Sequence, residues 1–213
     1  MLMLLAAAMF ALASPASALV FTGTIESQYD DQGNWIASTV DYWSFTVESA
    51  GIVTLDVLSA ELNYQGQQLD VNQDGEIAFI DSKLFLFRND GTLGIDDYIT
   101  ENDDMDALGV DGDGSFETLD SFLELSLDTG SYIVAIGTYE FSVEEAIAGL
   151  NQTDDYGPNS LYGSGWESPI SHGDYQLSVT TPGETAPVPE PGTMVLLGIG
   201  MLGIVGVRRK LLK

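Results

Sequence analysis

Oxygen-bearing side chains recur at alternate positions in the segment 70–81. Asp70, Asn72 and Asp74 are each separated by one residue, and Gly75 follows them directly. In a tightly wound loop, donors two residues apart converge on one centre, and a glycine at the sixth position permits the sharp turn. Carboxylate and amide oxygens are the ligands that Ca²⁺ prefers. The spacing therefore predicts a calcium site, and its predicted ligands are Asp70, Asn72, Asp74, Glu76 and Asp81.

The segment is similar to the twelve-residue calcium loop of EF-hand and dockerin repeats. Its donors occupy positions 1, 3, 5 and 12 of that loop, and Ile77 stands at the apolar position 8. Asp81 has a shorter arm than the usual glutamate at position 12, which makes bidentate ligation harder. Because residues 83–87 are predicted to form a strand, we expect the loop without a flanking pair of helices. In so acidic a chain, the alternative is a chance match in a solvated loop.

A second, weaker match to the same pattern lies in the segment 109–120. It lacks a ligand at its first position, and the acidic segment 96–106 precedes it. These acidic residues either contribute to a second cation site or form a solvated loop. The candidate ligands of the second site are Asp111, Asp113, Ser115 and Asp120.

Residues for nucleophilic catalysis are scarce. The chain has no cysteine, and its one histidine, His172, stands in a turn between Ser171 and Gly173. A Ser-His-Asp triad needs partners that a sequence cannot place, and a lone histidine in such a turn is more often a surface residue. Carboxylates are so abundant that a glycosidase-like pair would be uninformative. We therefore predict no catalytic residue and no organic cofactor, with a hydrolase accessory domain as an alternative.

The charge is distributed very unevenly along the 213 residues. Of the 33 acidic residues only Glu190 lies in the C-terminal tail, and Lys83 and Arg88 are the only basic residues outside it, so residues 19–187 carry a net charge of −30. Repulsion of that size excludes nucleic acid and anionic lipid as partners. An aromatic content of 10% argues against a disordered acidic segment. The absence of cysteine means that no disulfide supports the fold.

Short alternating runs dominate the chain between its two ends. Trp43, Phe45 and Val47 alternate with polar residues and share one predicted face, and Asp41 is predicted to face mostly water. Gly- and Asp-rich turns separate the runs, which is typical of an antiparallel β-sandwich, jelly-roll-like, with acidic loop insertions. The predicted strands cover residues 20–25, 41–47, 52–58, 84–87, 119–127, 132–139 and 175–179, with a hairpin signal at 89–91.

Two further local patterns interrupt the strands. Ser142 and Glu145 form a capping box that predicts a short helix ending toward Gly149. The segment 156–166 is predicted to be a long surface loop, because it is rich in glycine, serine and asparagine. Aromatic rings can stack on sugar faces, so a calcium-dependent carbohydrate-binding module is an alternative function. The aromatic residues that suit this role are Tyr156, Tyr162 and Trp166.

The order of these motifs resembles the pre-peptidase C-terminal type of β-sandwich. The resemblance implies a non-catalytic appendage or surface module that is often associated with calcium. This chain departs from the pattern by insertions at 62–80, 98–118 and 140–165. The segments that carry the resemblance are 22–25, 41–47, 81–87, 96–97, 119–122 and 130–132.

Three features follow one another in a fixed order in the last 26 residues. Two prolines hold a short motif extended, because each restricts its own φ and disfavours the helical region for the residue before it. An uncharged run at 193–207 comes next and would span about 22 Å as a helix, against about 30 Å of hydrocarbon. Such a transmembrane helix is marginal as a permanent anchor and adequate as a temporary one. The motif is Val188, Pro189, Glu190 and Pro191, and the membrane stop is Arg208, Arg209 and Lys210.

The tail resembles the PEP-CTERM sorting signal of bacterial exported proteins. The resemblance lies in the Pro-Glu-Pro core, the glycine-rich apolar run and the arginine-rich end. It implies processing by an exosortase-type membrane enzyme, with the inner membrane holding the precursor. The processed protein would then reach the cell surface or the extracellular matrix. The alternative is an ordinary tail anchor behind a proline-rich linker.

The N-terminal end agrees with export. Residues 2–12 form a short apolar run, and Ala16 and Ala18 supply a small-residue cleavage site, although no basic residue precedes the run. The alternative is a buried N-terminal helix. We predict a signal peptide at 1–18, a β-sandwich at 19–181, a linker at 182–187 and a sorting signal at 188–213. The predicted function is a non-catalytic, calcium-stabilised surface protein with extracellular polysaccharide as a candidate partner.

Overall fold

The computed structural model describes residues 17–61, 67–104, 119–153, 157–162 and 165–182, with the backbone alone for Ser17 and the segments 159–162 and 165–169. The core of the predicted signal peptide, the segment 105–118 and the whole sorting tail lie outside these residues. Within the described ranges, no helix is long and apolar enough to cross a membrane. The predicted membrane segment 193–207 is not among them.

Strands make up most of the described chain. All of their pairings there are antiparallel, and the helical structure in these residues is one short α-helix and a 3₁₀ turn at Ile95–Asp97. The strands are β1 (Ser17–Tyr29), β2 (Trp35–Thr39), β3 (Asp41–Val47), β4 (Gly51–Leu58), β5 (Ala78–Phe79), β6 (Ser82–Arg88), β7 (Tyr98–Asn102), β8 (Phe122–Leu127), β9 (Gly130–Thr138), β10 (Leu150–Asn151), β11 (Asn159–Tyr162), β12 (Gly165–Pro169) and β13 (His172–Thr181), and the helix is α1 (Val143–Ala148).

The strands form two larger sheets and a small one. The first sheet has six strands in the order β10-β2-β1-β13-β4-β8, and the second has four in the order β3-β9-β6-β7. The small sheet has the order β12-β11-β5. At the centre of the first sheet, β1 pairs with β13 from Ser17 opposite Thr181 to Glu26 opposite His172. Strand β1 therefore begins two residues inside the predicted signal peptide.

The main core lies between the two larger sheets. Strand β4 alternates in burial along most of its length, so that Val53, Leu55 and Val57 are fully buried. Burial of one such side chain contributes roughly 1.5–3 kcal/mol. Because both sheets contribute to one apolar cluster, the predicted antiparallel β-sandwich is confirmed. The second sheet supplies Phe45, Val47, Leu84, Leu86, Tyr132, Val134 and Ile136 to that cluster.

Strand β6 is buried on both faces, and this explains the position of the helix. Leu84 and Leu86 face the main core, while Phe85 and Phe87 pack into a second cluster with Phe141 and Ala146. The rings of Phe85 and Phe141 meet edge to face with centroids 4.8 Å apart. The predicted capping box is present, since Ser142 Oγ accepts the Glu145 N–H at 3.3 Å and Glu145 Oε2 accepts the Ser142 N–H at 2.9 Å.

Several strands were not predicted from the sequence. The prediction of a long surface loop at 156–166 was wrong, because β11 and β12 form a hairpin there that extends the small sheet. Strand β7 lies inside the segment predicted as an acidic insertion and pairs with β6. Strand β2 follows β1 in the chain, was not among the predicted strands, and pairs with β1. These are short segments whose strand conformation depends on pairing with a neighbour rather than on a strong alternation of their own.

Candidate metal centre

The loop 70–76 is wound tightly by its own side chains. Asp70 accepts the Asp74 N–H at 3.1 Å and the Gly75 N–H at 2.9 Å, one with each carboxylate oxygen. Asn72 Oδ1 also accepts the Asp74 N–H at 3.1 Å, and Asp74 Oδ1 accepts the Glu76 N–H at 2.7 Å. Gly75 has φ +88°, which residues with a Cβ rarely adopt. Strands rather than helices follow the loop, as the sequence predicted.

A buried glutamate fixes this loop to the sheet. Glu61 is fully buried, and its two carboxylate oxygens accept the Val71 N–H at 2.8 Å and the Ala78 N–H at 2.7 Å. Burial raises the pKa of Glu61 to about 7, the two backbone N–H bonds oppose that shift, and the charges of Asp174 and Asp70 add to it. Sequence reasoning missed this residue. The sequence feature that could have indicated its burial is the position of a carboxylate among apolar residues just after a strand.

Three ligand atoms come together beside the loop. Asp74, His172 and Asp174 each offer one, and these atoms all lie within 4.8 Å of one another. His172 Nε2 is also 3.5 Å from Glu76 Oε2. Within the described residues, this is the only group of three or more carboxylate, histidine or cysteine side chains that could hold a metal ion.

The residues of this group differ in exposure and in hydrogen bonding. Asp74 is exposed, and its hydrogen bonds to the Glu76 N–H and to the Asn72 side chain hold its pKa below the usual value. Asp174 is fully buried, and its Oδ1 accepts the Thr24 hydroxyl at 2.6 Å. Sequence reasoning placed His172 on the surface and did not consider Asp174. The spacing of one residue between them at the start of a strand was the available signal.

The remaining predicted calcium ligands are not all close to this group. Asp81 does not belong to it, and its backbone carbonyl accepts the Tyr139 N–H at 2.8 Å at the entrance to β6. Of the second predicted site, only Asp120 is described, and Asp111, Asp113 and Ser115 lie outside the described residues. Asp120 is buried, and its Oδ1 accepts the Ser59 N–H at 2.9 Å and the Ser59 hydroxyl at 2.5 Å.

The strand motifs of the sequence meet at Tyr175 in a structural network. The Tyr175 hydroxyl donates to Asp41 Oδ2 at 2.8 Å and accepts the Trp43 indole N–H at 2.6 Å. A Cβ on Gly23 would lie 2.3 Å from that hydroxyl, so the motif around Gly23 needs its glycine for close approach. The prediction that Asp41 faces mostly water was wrong. Asp41 shares a face with Trp43, and partial burial raises its pKa, against the hydrogen bond from Tyr175.

The described chain is therefore an antiparallel β-sandwich that carries a candidate cation centre where the loop 70–76 meets the start of β13. A family model, the PEP-CTERM protein-sorting motif, matches residues 187–210 and includes the predicted Pro-Glu-Pro core and basic stop. This motif marks proteins that are exported, anchored in the membrane, processed by an exosortase and then released to the cell surface. The predicted sorting signal and localisation are confirmed.

Comparison with other proteins adds little beyond this motif. No curated protein sequence matches the chain. Among solved structures, the chain is similar to the pre-peptidase C-terminal domain of collagenase from Bacillus anthracis, at 14% identity over 76% of this chain and 87% of that one, with a TM-score of 0.33. This is the type of domain that the sequence motifs resemble. At that TM-score, no residue or activity is transferred from one protein to the other.

Proposed function

We propose that the chain is a non-catalytic module of the cell surface or extracellular matrix, stabilised by calcium at the loop 70–76. The observation that carries the proposal is the sorting motif at 187–210, which delivers everything before it to the outside of the cell. Calcium is generally abundant there, so even a site with Kd of about 10⁻⁴ to 10⁻³ M would be filled. Extracellular polysaccharide is the proposed partner class.

The charge of the module supports a requirement for cations. Lys83 and Arg88 are the only lysine and arginine in residues 19–187, which carry a net charge of −30. Lys83 lies 3.3 Å from Glu101, and Arg88 is exposed at the end of β6. Among the described residues, neither forms an ion pair with a carboxylate of the loop 70–76. Two carboxylates at about 4 Å repel by roughly 1 kcal/mol even in water, and a bound divalent ion removes that repulsion.

The conformation of the loop also supports calcium. Asp70, Asn72 and Asp74 already lie in one turn, where they accept N–H groups of the loop itself. Their remaining lone pairs are available to a cation that prefers six to eight oxygens. The proposed ligands are those predicted from the sequence, Asp70, Asn72, Asp74, Glu76 and Asp81, with Asp111, Asp113, Ser115 and Asp120 as a second set.

A non-catalytic role is supported by the surroundings of His172. Ser171 Oγ lies 3.2 Å from His172 Nδ1, but the two residues are neighbours in the chain at the exposed start of β13. Glu76 Oε2 is 3.5 Å from the other ring nitrogen, beyond the usual range for an orienting hydrogen bond. These contacts of His172 fit an ion-binding site better than a proton relay for catalysis.

Thermal unfolding tests the calcium proposal. The fragment 19–187 should melt several degrees higher with calcium than with EDTA at matched ionic strength, since a hundredfold excess over Kd stabilises by about 2.7 kcal/mol. The Asp70→Ala variant should lose most of this gain. Asp90→Ala is the matched control, because Asp90 is another loop aspartate that accepts a nearby backbone N–H, at 3.1 Å from Thr92. Identical melting curves with calcium and with EDTA would refute the proposal.

A further inference from the structure

Two side chains with ligand atoms project from the same face of β13. His172 and Asp174 are separated by one residue, and alternate residues of a strand share a face. The backbone between them is firmly packed, since a Cβ on Gly173 would lie 2.8 Å from Ile80 and 2.9 Å from Pro158. The pair is therefore held in place by the sandwich itself, opposite Asp74 of the loop.

One carboxylate oxygen of Asp174 is buried without a hydrogen-bond partner, as expected of a cation ligand. Asp174 is 0% exposed, and its Oδ1 is occupied by the Thr24 hydroxyl. Its Oδ2 has no hydrogen-bond partner in the described residues, although burial of a carboxylate oxygen normally requires one. A carboxylate oxygen of Asp174 belongs to the group of atoms that lie within 4.8 Å of one another.

We propose that Asp74, His172 and Asp174 bind one divalent transition-metal ion of the zinc class, with Glu76 as a fourth ligand. Calcium takes oxygen ligands, whereas an imidazole nitrogen with carboxylates suits zinc and its neighbours in the first transition row. This site goes beyond the proposed function, because its ion differs and because His172 and Asp174 are not predicted calcium ligands, although it shares Asp74 and Glu76 with the calcium loop.

The arrangement of the imidazole agrees with a metal ligand. With its hydrogen on Nδ1, His172 donates to Ser171 Oγ at 3.2 Å, and such an outer hydrogen bond commonly orients a ligating histidine. Nε2 is then free of its proton and lies on the side of Glu76, at 3.5 Å from Oε2. The metal would enter from solvent, because the side chains of His172 and Glu76 are 33% and 30% exposed.

Closing the site requires only small movements. Ligand atoms around a tetrahedral zinc ion with bonds of about 2.0–2.1 Å lie about 3.4 Å apart. The present limit of 4.8 Å must therefore shrink by up to about 1.4 Å. Asp74 is exposed and His172 is partly exposed, so these two side chains can move toward the buried Asp174 without disturbing the core. The ion would then join the loop 70–76 directly to the central strand of the first sheet.

The test is a zinc titration of the full-length chain in a mild detergent, after removal of metals with a chelator and without added calcium, because the two proposed sites share Asp74 and Glu76. One zinc ion per chain is expected by calorimetry. Loss of an outer partner alone costs about 10–100-fold in affinity, so the ligand variant His172→Gln should bind zinc at least about 100-fold more weakly. Asp90→Asn, in a loop on the other sheet, should bind zinc as the wild type does.

Three further outcomes separate this proposal from the calcium proposal. His172→Gln should keep its stabilisation by calcium, because glutamine replaces a side chain outside the predicted calcium ligands. Asp174→Asn should also lose zinc. Circular dichroism of both variants checks whether each remains folded, and His172→Gln is the decisive variant because His172 is partly exposed. The proposal is overturned if the wild type does not bind zinc under these conditions or if His172→Gln binds it unchanged, whatever the response to calcium.

Discussion

The buried carboxyl group of Glu61 should make the stability of the metal-free protein fall as the pH rises. Its pKa is about 7 in the folded chain against a model value of 4.5. A group whose folded-state pKa is raised contributes its stabilisation fully below the unfolded pKa, and this is lost as the pH rises through the folded value. The full shift corresponds to about 3 kcal/mol, of which about 2.5 kcal/mol falls between pH 5 and pH 8.

The Glu61→Gln variant isolates this contribution. Glutamine does not titrate, so its contribution to stability does not change with pH. Its amide nitrogen cannot accept the Ala78 N–H, so the variant should be less stable than the wild type at low pH by about 1–3 kcal/mol. The gap between wild type and variant should shrink, or change sign, by about 2.5 kcal/mol from pH 5 to pH 8. Urea unfolding of the fragment 19–187 in EDTA at the two pH values measures this gap.

An exposed glutamate provides the control for the same change in charge. Glu124 lies exposed on β8, and its replacement by glutamine should leave the gap nearly constant, within about 0.5 kcal/mol. A gap for Glu61→Gln that is equally independent of pH would refute the reasoning. Calcium should flatten the wild-type dependence, because a cation at the loop would favour the ionised form of Glu61.

The remaining predictions concern packing and processing. Gly23→Ala should destabilise the fold by about 1–3 kcal/mol in urea unfolding, because a Cβ there would lie 2.3 Å from the Tyr175 hydroxyl; an unchanged midpoint would contradict the packing. Glu190→Ala should retain the full-length form in the membrane, as seen by the intact mass of the protein in each fraction, whereas processed surface protein from this variant would argue against a role for Glu190. Deletion of 208–210 should let unprocessed precursor escape from the membrane fraction, and unchanged retention would mean that these charges are incidental.

The strands with strong local patterns could be predicted from the sequence, and several short strands without such patterns could not. The run 41–47 coincides with β3, and the capping box at Ser142 marks the start of α1, because both patterns are carried by residues close together in the chain. Strands β2, β7, β11 and β12 lack such patterns. Their conformation depends on partners that only the folded topology supplies.

The same distinction between local and long-range contacts applies to the candidate site. The winding of the loop was predictable, since its spacing and its glycine act within a few residues. The contributions of Glu61, His172 and Asp174 were not, because each approaches the loop from another part of the chain. In so acidic a sequence, carboxylates that belong to a site cannot be told from solvated ones until the sheet register brings them together.

With calcium bound as proposed, the placement of these groups would connect stability to export. The described fold has no disulfide to support it. Two of its buried carboxylates, Glu61 and Asp174, lie near the loop 70–76. Among the described residues, no lysine or arginine forms an ion pair with either of these carboxylates. Cytoplasmic calcium is generally too low to fill a site of extracellular affinity, whereas calcium outside the cell is high enough. We therefore expect the domain to reach its full stability only after export, which favours a loosely folded precursor inside the cell and a stable module at the surface.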